Sequence, residues 1–299
     1  MAVISIGLNS ALDRVARDID ILFDSWLKVP ADSRARLYEA MRHAAIGGGK
    51  RIRPMLVVAA SELFNVDSDS AMRVGFAVEC IHVYSLVHDD LPCMDDDDLR
   101  RGRPTVHKAF DEATAVLAGD CLLALAFEIL GEEATHRDAL VRAELMAALA
   151  RASGPSGMGG GQMMDLAAEH QRLTLPAVTR LQQLKTGALI GFCLEAAGIM
   201  GRVAPEHRTH LRGYARDLGL AFQIADDLLD VEGDEKDTGK RLGKDAMAGK
   251  ATFVSLLGVE RSRRQAQMLV DQAIDHLRDF GEEADMLRDI ARFAIERTH

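Results

Sequence analysis

The sequence lacks paired cysteines. Its four cysteines, Cys80, Cys93, Cys121 and Cys193, are far apart, and none forms a C-x-x-C pair with another. We therefore expect neither a disulfide framework nor a structural zinc site. This use of cysteine fits a reducing compartment, so we expect a cytoplasmic protein.

The sequence also lacks a long uninterrupted apolar run. Its first residues have neither the basic start nor the apolar core of a signal peptide, so we expect none. The most apolar later run, residues 113–130, is interrupted by Asp120 and Glu128. We therefore expect no segment that spans a membrane.

The sequence has fewer basic than acidic residues. The chain has 36 lysines and arginines against 46 aspartates and glutamates, a formal net charge of −10. This balance argues against a nucleic-acid partner, because such proteins bind through broad positive surfaces. Any anionic ligand must therefore be bound by a local group of cations.

Sustained period-two alternation is absent, and the apolar residues repeat every three or four positions. With 299 residues, 48% of them hydrophobic, the chain can bury a large core. The pattern predicts an all-α fold of about ten or more helices in one domain, residues 1–299, with no internal repeat. The clearest helical segments are residues 71–91, 113–130, 177–200 and 207–230. Turn-forming breaks are predicted at residues 64–70, 131–138, 170–176, 201–205 and 231–249.

Two aspartate clusters follow apolar helical segments. The first, "DDLPCMDDDDLRRGRPT" at residues 89–105, is followed at once by arginines, and alone it reads equally well as a solvated loop. In the second, "FQIADDLLD" at residues 222–230, Asp226 and Asp230 share a helix face, and Asp227 is turned roughly 100° away. Like charges at this spacing repel, and burial would raise their pKa unless a cation intervened.

Oxygen ligands of this kind suit magnesium, which commonly uses one or two carboxylates together with substrate phosphates. An EF-hand does not fit, because neither cluster supplies the required glycine and glutamate positions. The segment "GGGKRIRP", residues 47–54, places Lys50, Arg51 and Arg53 in a glycine-rich loop before a helix, where phosphate binding is favourable. It is not a Walker A loop, since no Ser or Thr follows Lys50.

Taken together, these segments and "GGQMMDL", "KTGAL" and "TGKRLGKDAMAGK" resemble the short-chain trans-prenyltransferases, the farnesyl and geranylgeranyl diphosphate synthases. The resemblance runs from about Arg42 to the C-terminus. It implies the isoprenoid synthase fold, an all-α bundle around a central apolar cavity, and a homodimer. The implied substrates are isopentenyl diphosphate and an allylic diphosphate such as dimethylallyl or geranyl diphosphate. The implied chemistry is magnesium-assisted ionisation of the allylic diphosphate and attack by the isopentenyl double bond.

The resemblance also implies roles for particular residues. Asp89, Asp95 and Asp226 resemble the magnesium ligands, and Asp90, Asp227 and Asp230 support them. The allylic diphosphate contacts would be Arg100, Lys185, Thr186, Gln223, Lys240 and Lys250. The isopentenyl diphosphate contacts would be Lys50, Arg53, His82 and Arg101.

Two local features bear on geometry and product. In a straight helix Asp96 would lie nearer the face of Asp89 than Asp95 does, but Pro92 disfavours a regular helix and favours Asp95. Tyr84 lies five residues before Asp89, with the small Ser85 beside it. Its ring is predicted to form the floor of the cavity that holds the growing prenyl tail, the tail cavity. In the resembling family an aromatic there, combined with the two residues inserted in the first aspartate motif, goes with the fifteen-carbon farnesyl product. The alternatives are a geranylgeranyl diphosphate synthase, a class I terpene cyclase and a non-catalytic synthase subunit.

Overall fold

The periodic apolar segments form helices, as predicted. The structure is a computed structural model and describes residues 6–168, 171, 173–232 and 251–296. The α-helices are α1 Ile6–Trp26, α2 Ala35–Ala45, α3 Ile52–Glu62, α4 Ser68–Asp89, α5 Val106–Ala109, α6 Glu112–Gly131, α7 Ala139–Ser153, α8 Met158–Ala167, α9 Leu175–Gln182, α10 Ala188–Met200, α11 Thr209–Glu232, α12 Phe253–Leu257, α13 Val259–Asp275 and α14 Asp285–Glu296. A π-helical turn, Gln183–Gly187, joins α9 to α10, and short 3₁₀ turns cover Pro205–Arg208 and Glu282–Ala284.

Strands are confined, among the described residues, to one small hairpin. Its strands, β1 Leu99–Arg100 and β2 Arg103–Pro104, pair antiparallel. The fold class is therefore all-α, and the prediction is confirmed.

Several helices begin at aspartates, and two of these, Asp67 and Asp138, lie in predicted breaks. The carboxylates of Asp67, Asp111 and Asp138 accept backbone N–H groups of the first turns of α4, α6 and α7. Such side-chain caps satisfy amide groups that have no partner within the helix. The short polar segments thus end one helix and start the next.

The two helices that carry the aspartate clusters are central. Helix α4 packs against α1, α2, α3, α6 and α10, and helix α11 packs against α10, α13 and α14. Residues of α4 such as Val74, Phe76 and Ile81 are fully buried. Each helix therefore presents its C-terminal aspartates from a rigid base.

Helix α6 differs from the other described helices, because it alone is long and apolar enough to cross a membrane by length and composition. Less than half of that stretch is buried within the fold. The core helix of a globular protein passes the same test, so this is weak evidence for a membrane span. Exposed apolar residues on α6 include Val116 and Leu117.

Candidate active site

The first aspartate cluster begins where α4 ends. The helix stops at Asp89, and the chain turns so that the N–H of Asp95 donates to the carbonyl of Asp89 at 2.8 Å. Pro92 lies inside this turn, and Asp96 adopts a left-handed conformation at φ 49°. The helix is therefore interrupted, as Pro92 predicted, and Asp95 folds back toward Asp89.

Asp89 carries an unusual charge environment. Burial raises the pKa of Asp89 to about 6, the Lys185 ammonium opposes this, and the Asp95 carboxylate adds to it. Arg100 and Asp90 make smaller and opposite contributions. Burial makes this carboxyl group harder to ionise, and a bound cation would favour its ionised form. Asp89 is therefore a candidate cation ligand.

Asp90 has a different role from its neighbour. It is buried and accepts a hydrogen bond from Nε of Arg100 at 3.0 Å and a second from Nη2 of the same guanidinium. Burial raises the pKa of Asp90, and Arg100 opposes that rise. Asp90 therefore fixes Arg100 beside the aspartate cluster.

The hairpin after the cluster separates two arginines. Arg100 ends β1, whereas Arg101 and Gly102 form the turn with φ values of 53° and 73°. Positive φ at both central residues is what the common two-residue hairpin turn requires. Arg100 accordingly reaches Asp90, while Arg101 reaches the glycine-rich loop.

The glycines of that loop accommodate the Arg101 side chain. A Cβ atom on Gly49 would lie 2.6 Å from both terminal guanidinium nitrogens of Arg101. Gly49 also has a φ of 88°, which other residues rarely adopt. Glycine at this position is therefore needed both for the backbone and for the arginine.

A cationic cluster forms around His82 on α4. Burial lowers the pKa of His82 well below its usual value, and the charges of Arg53, Arg101, Arg51 and Arg100 lower it further, in that order. The ring is therefore neutral and can still donate one hydrogen bond. The structure brings together arginines from the glycine-rich loop and from the hairpin, which are about fifty residues apart in sequence.

Lys50 precedes Arg51 in the glycine-rich loop. Its ammonium is 5.0 Å from the centroid of the Phe293 ring on α14. A cation at this distance from an aromatic ring is attracted to its face. The last described helix therefore contacts the glycine-rich loop.

The second aspartate cluster ends α11. Asp227 is buried and accepts hydrogen bonds from Nε2 of Gln223 at 3.0 Å and from the backbone N–H of Phe253 at 2.8 Å. It therefore ties α11 to the start of α12. Asp226 and Asp230 are half-buried on a different face of the helix.

The π-helical turn links the two aspartate clusters. The Thr186 hydroxyl donates to Gln223 of α11 at 3.2 Å, and the adjacent Lys185 ammonium influences Asp89 of α4. Lys185 also pairs with the buried Asp165 of α8 at 2.7 Å. π turns of this kind occur frequently at functional sites.

The predicted floor residue, Tyr84, stacks edge to face on His88 with ring centroids 5.8 Å apart. Nε2 of His88 lies 3.0 Å from the carbonyl oxygen of Val116 on α6. A Cβ on Gly119 would be 2.1 Å from the same nitrogen, so only glycine leaves room for His88. The Ser85 hydroxyl donates to the carbonyl of His82, within α4.

Some predicted residues are not settled by the geometry. Lys240 and Lys250 lie outside the described residues. Within the described ranges, no three acidic, histidine or cysteine side chains converge into a metal site. The magnesium role of Asp89, Asp95 and Asp226 therefore stays a prediction.

Sequence reasoning missed two residues that the site uses. Asp165 lies in the "GGQMMDL" motif, but nothing in the motif shows that it faces Lys185. His88 directly precedes the first aspartate, and its contact with α6 depends on the absence of a side chain at Gly119. Both depend on contacts between helices that are distant in sequence. A single sequence therefore does not reveal these two roles.

The fold and site define an all-α protein in which arginine and lysine side chains lie beside the carboxylates at the end of α4. A model of the polyprenyl synthetase family matches residues 34–291. The chain belongs to the polyprenyl synthetase family.

Particular relatives are similar over most of their length. A farnesyl diphosphate synthase of Escherichia coli is 46% identical over 270 residues, 87% of this chain and 88% of that protein. Geranylgeranyl pyrophosphate synthase 11 of Arabidopsis thaliana is 45% identical over 260 residues, 85% of this chain and 72% of that protein. A solved apo structure of an FPP/GFPP synthase from Zymomonas mobilis is 62% identical, with a TM-score of 0.89, and covers 97% of this chain and 99% of that one.

Proposed function

We propose that this prenyltransferase condenses isopentenyl diphosphate with an allylic diphosphate, dimethylallyl or geranyl diphosphate, to give mainly farnesyl diphosphate. The single observation that carries the proposal is the positive charge of Arg53, Arg101 and Arg100 beside a neutral His82, with Arg100 held by the buried Asp90 at the end of α4. Two diphosphates need such a local cation group in a chain with a net charge of −10. The farnesyl and geranylgeranyl synthases among its relatives support the reaction class.

We assign the magnesium sites to Asp89, Asp95 and Asp226. The donor set fits, because hard carboxylate oxygens suit magnesium and because burial, with the Asp95 carboxylate adding to it, raises the pKa of Asp89, which a divalent cation would oppose. When bound, magnesium would neutralise diphosphate oxygens and so assist departure of the diphosphate. Asp230 supports this set from the same face of α11.

The allylic diphosphate would be held by the cations between the two clusters. Arg100, fixed by Asp90, and Lys185, fixed by Asp165, offer charge-assisted hydrogen bonds to its oxygens. Thr186 and Gln223 add neutral polar groups, and Asp227 orients Gln223. Lys240 and Lys250 complete the proposed set from outside the described residues.

The isopentenyl diphosphate would be held by Lys50, Arg53, Arg101 and His82. Three of these are cations, and His82 contributes a hydrogen bond without a further charge. In the reaction the allylic C–O bond breaks, and its electron pair leaves with the diphosphate. The isopentenyl double bond then forms the new C–C bond, and the condensed product loses a proton.

Product length is assigned from Tyr84. Its ring lies on the helix that bears the first aspartates and is braced by His88, so a short tail cavity and a fifteen-carbon product are favoured. The alternative product is geranylgeranyl diphosphate, and one solved relative that is called an FPP/GFPP synthase adds a second, longer alternative. A terpene cyclase or a non-catalytic subunit is less favoured, since the loop and both aspartate clusters are intact.

Three further assignments belong to the same proposal. The chain forms one domain, residues 1–299, which the continuous hydrophobic core of the described residues supports. It acts in the cytoplasm, in keeping with four free cysteines. It forms a homodimer through the exposed apolar face of α6.

The test is direct. Purified protein is mixed with isopentenyl and dimethylallyl diphosphates and magnesium, and the dephosphorylated products are separated by chromatography. We expect a fifteen-carbon product, and Asp226→Ala should lower turnover by about a hundredfold or more while the helical circular dichroism is unchanged. If isopentenyl diphosphate is not consumed, the proposed function is wrong.

A further inference from the structure

The N-terminal helix contacts the glycine-rich loop through one carboxylate. Asp20 lies on α1, before the first residue matched by the family model. Its Oδ2 accepts the backbone N–H of Gly47 at 3.2 Å, and its Oδ1 accepts Nη2 of Arg51 at 2.8 Å. One side chain therefore holds both ends of the segment from Gly47 to Arg51.

Arg51 is a buried anchor within that loop. Its side chain is 1% exposed, and its Nη1 donates to the equally buried Glu79 of α4 at 2.7 Å. Its Nη2 also donates to the carbonyl of Ala45, at the end of α2. The guanidinium thus joins α1, α2 and α4 and is shielded from solvent.

The conformation that this anchor maintains is an uncommon one. Gly47, Gly49 and Arg51 all have positive φ, at 79°, 88° and 49°. A non-glycine residue in the left-handed region is disfavoured and persists only where its surroundings hold it there. Lys50 and Arg53 flank Arg51, so the direction of both side chains depends on the backbone being held at this point.

We propose that Asp20 is a positioning residue for the isopentenyl diphosphate site: by binding the Gly47 amide and the Arg51 guanidinium, it fixes the loop that presents Lys50 and Arg53. This inference rests on the proposed function. It gives α1 a part in substrate binding. The sequence does not reveal this part, because α1 lies outside every substrate-contacting motif. Asp20 itself touches no substrate.

The placement of Asp20 makes the inference testable. Helix α1 is held to the core by apolar residues such as Ile19 and Phe23, whose ring packs on Phe76 at 4.7 Å. The Asp20 side chain is 33% exposed, so its truncation leaves no cavity in the core. Loss of the carboxylate should therefore disturb the loop more than the fold.

The experiment compares Asp20→Ala and Asp20→Asn with the wild type in steady-state kinetics, varying each substrate in turn. We expect Asp20→Ala to raise the KM for isopentenyl diphosphate by about tenfold, the usual effect of losing hydrogen bonds to a charged group, and to leave that for geranyl diphosphate within about twofold. Asp20→Asn should give a smaller rise, because one amide oxygen can replace only one of the two contacts. Calorimetric titration with isopentenyl diphosphate alone should show the same order of affinities.

Asp24→Ala is the matched control. Asp24 lies one turn further along α1 and pairs with Arg42 at 2.5 Å, but it does not touch the loop. It should leave both KM values unchanged. If the wild type is active and Asp20→Ala raises both KM values equally, or neither, the positioning role is overturned. If Asp20→Ala does not fold, the KM values of Asp20→Asn decide in the same way. A wild type that does not consume isopentenyl diphosphate refutes the proposed function itself.

Discussion

At the scale of single residues, Gly49 links the loop to the hairpin. An alanine there would place its Cβ 2.6 Å from the guanidinium nitrogens of Arg101, and that flexible side chain would have to move. We predict that Gly49→Ala raises the KM for isopentenyl diphosphate by about tenfold, with a smaller effect on the allylic substrate. Steady-state kinetics with each substrate varied would measure the difference.

Gly47→Ala is the control that separates backbone strain from the contact with Arg101. Gly47 has a similar φ of 79°, but a Cβ there would meet open space. Both variants should lower the melting temperature, because alanine is strained at positive φ, whereas only Gly49→Ala should displace Arg101. Equal increases in KM from the two variants would contradict the contact with Arg101.

His82 gives a pH dependence whose sign is fixed by its surroundings. Burial and four arginines lower its pKa well below 6.5, so the folded protein binds fewer protons at His82 than the unfolded chain does. Its contribution to stability is therefore lost as the pH falls below about 6.5. We predict that His82→Gln loses less stability than the wild type between about pH 7 and pH 5. Thermal unfolding without substrate at both pH values would test this, and identical losses would refute it.

At the scale of elements, α4 and α6 together set the tail cavity. Tyr84 precedes Asp89 by five residues, roughly 7.5 Å along a helix axis, and α6 braces its ring through His88. We predict that Tyr84→Ala shifts the product mixture toward twenty carbons or longer, because the floor is removed. Chromatography of the dephosphorylated products measures this shift.

Ser85→Ala is the companion variant. Ser85 is adjacent to Tyr84, but its hydroxyl donates to the carbonyl of His82, so the substitution leaves the ring in place. Product length should remain that of the wild type. An unchanged product from Tyr84→Ala would remove the floor assignment.

The elements themselves were largely predictable from sequence, and their contacts were not. Apolar periodicity located α4, α6 and α11, and Pro92 correctly indicated the interruption after Asp89. The hairpin at Leu99–Arg100 escaped prediction, because two-residue strands carry no period. Asp20, Asp165 and Gly119 were missed because their roles depend on which distant helix packs against them.

At the scale of the whole molecule, opposite charges are segregated locally. The chain is net acidic, yet the loop before α3, the end of α4 and the hairpin bring four arginines around one histidine. Asp20 of α1 and Glu79 of α4 pair with Arg51, the arginine that is turned inward, and Asp90 at the end of α4 pairs with Arg100. Arg53 and Arg101 add positive charge beside His82, where we propose that an anionic substrate binds.

The assembly prediction belongs to the same scale. Helix α6 buries one face against α4 but leaves Val116 and Leu117 41% and 54% exposed, with Ala113 and Ala124 also on the surface. Exposed apolar side chains grouped along one helix can belong to a protein interface. We predict that Leu117→Asp, which places a charge in this face, converts the proposed homodimer into a monomer. Light scattering after size exclusion would then give half the wild-type mass.

Ile21→Asp is the control variant, because it also places a charge at an exposed apolar residue. Ile21 is 65% exposed on α1, which does not belong to the α6 face. It should leave the mass at the dimer value. Because His88 reaches the α6 backbone at Val116, loss of the dimer should also loosen the support of Tyr84. We therefore expect Leu117→Asp to broaden the product distribution, and a dimeric Leu117→Asp variant would place the interface elsewhere.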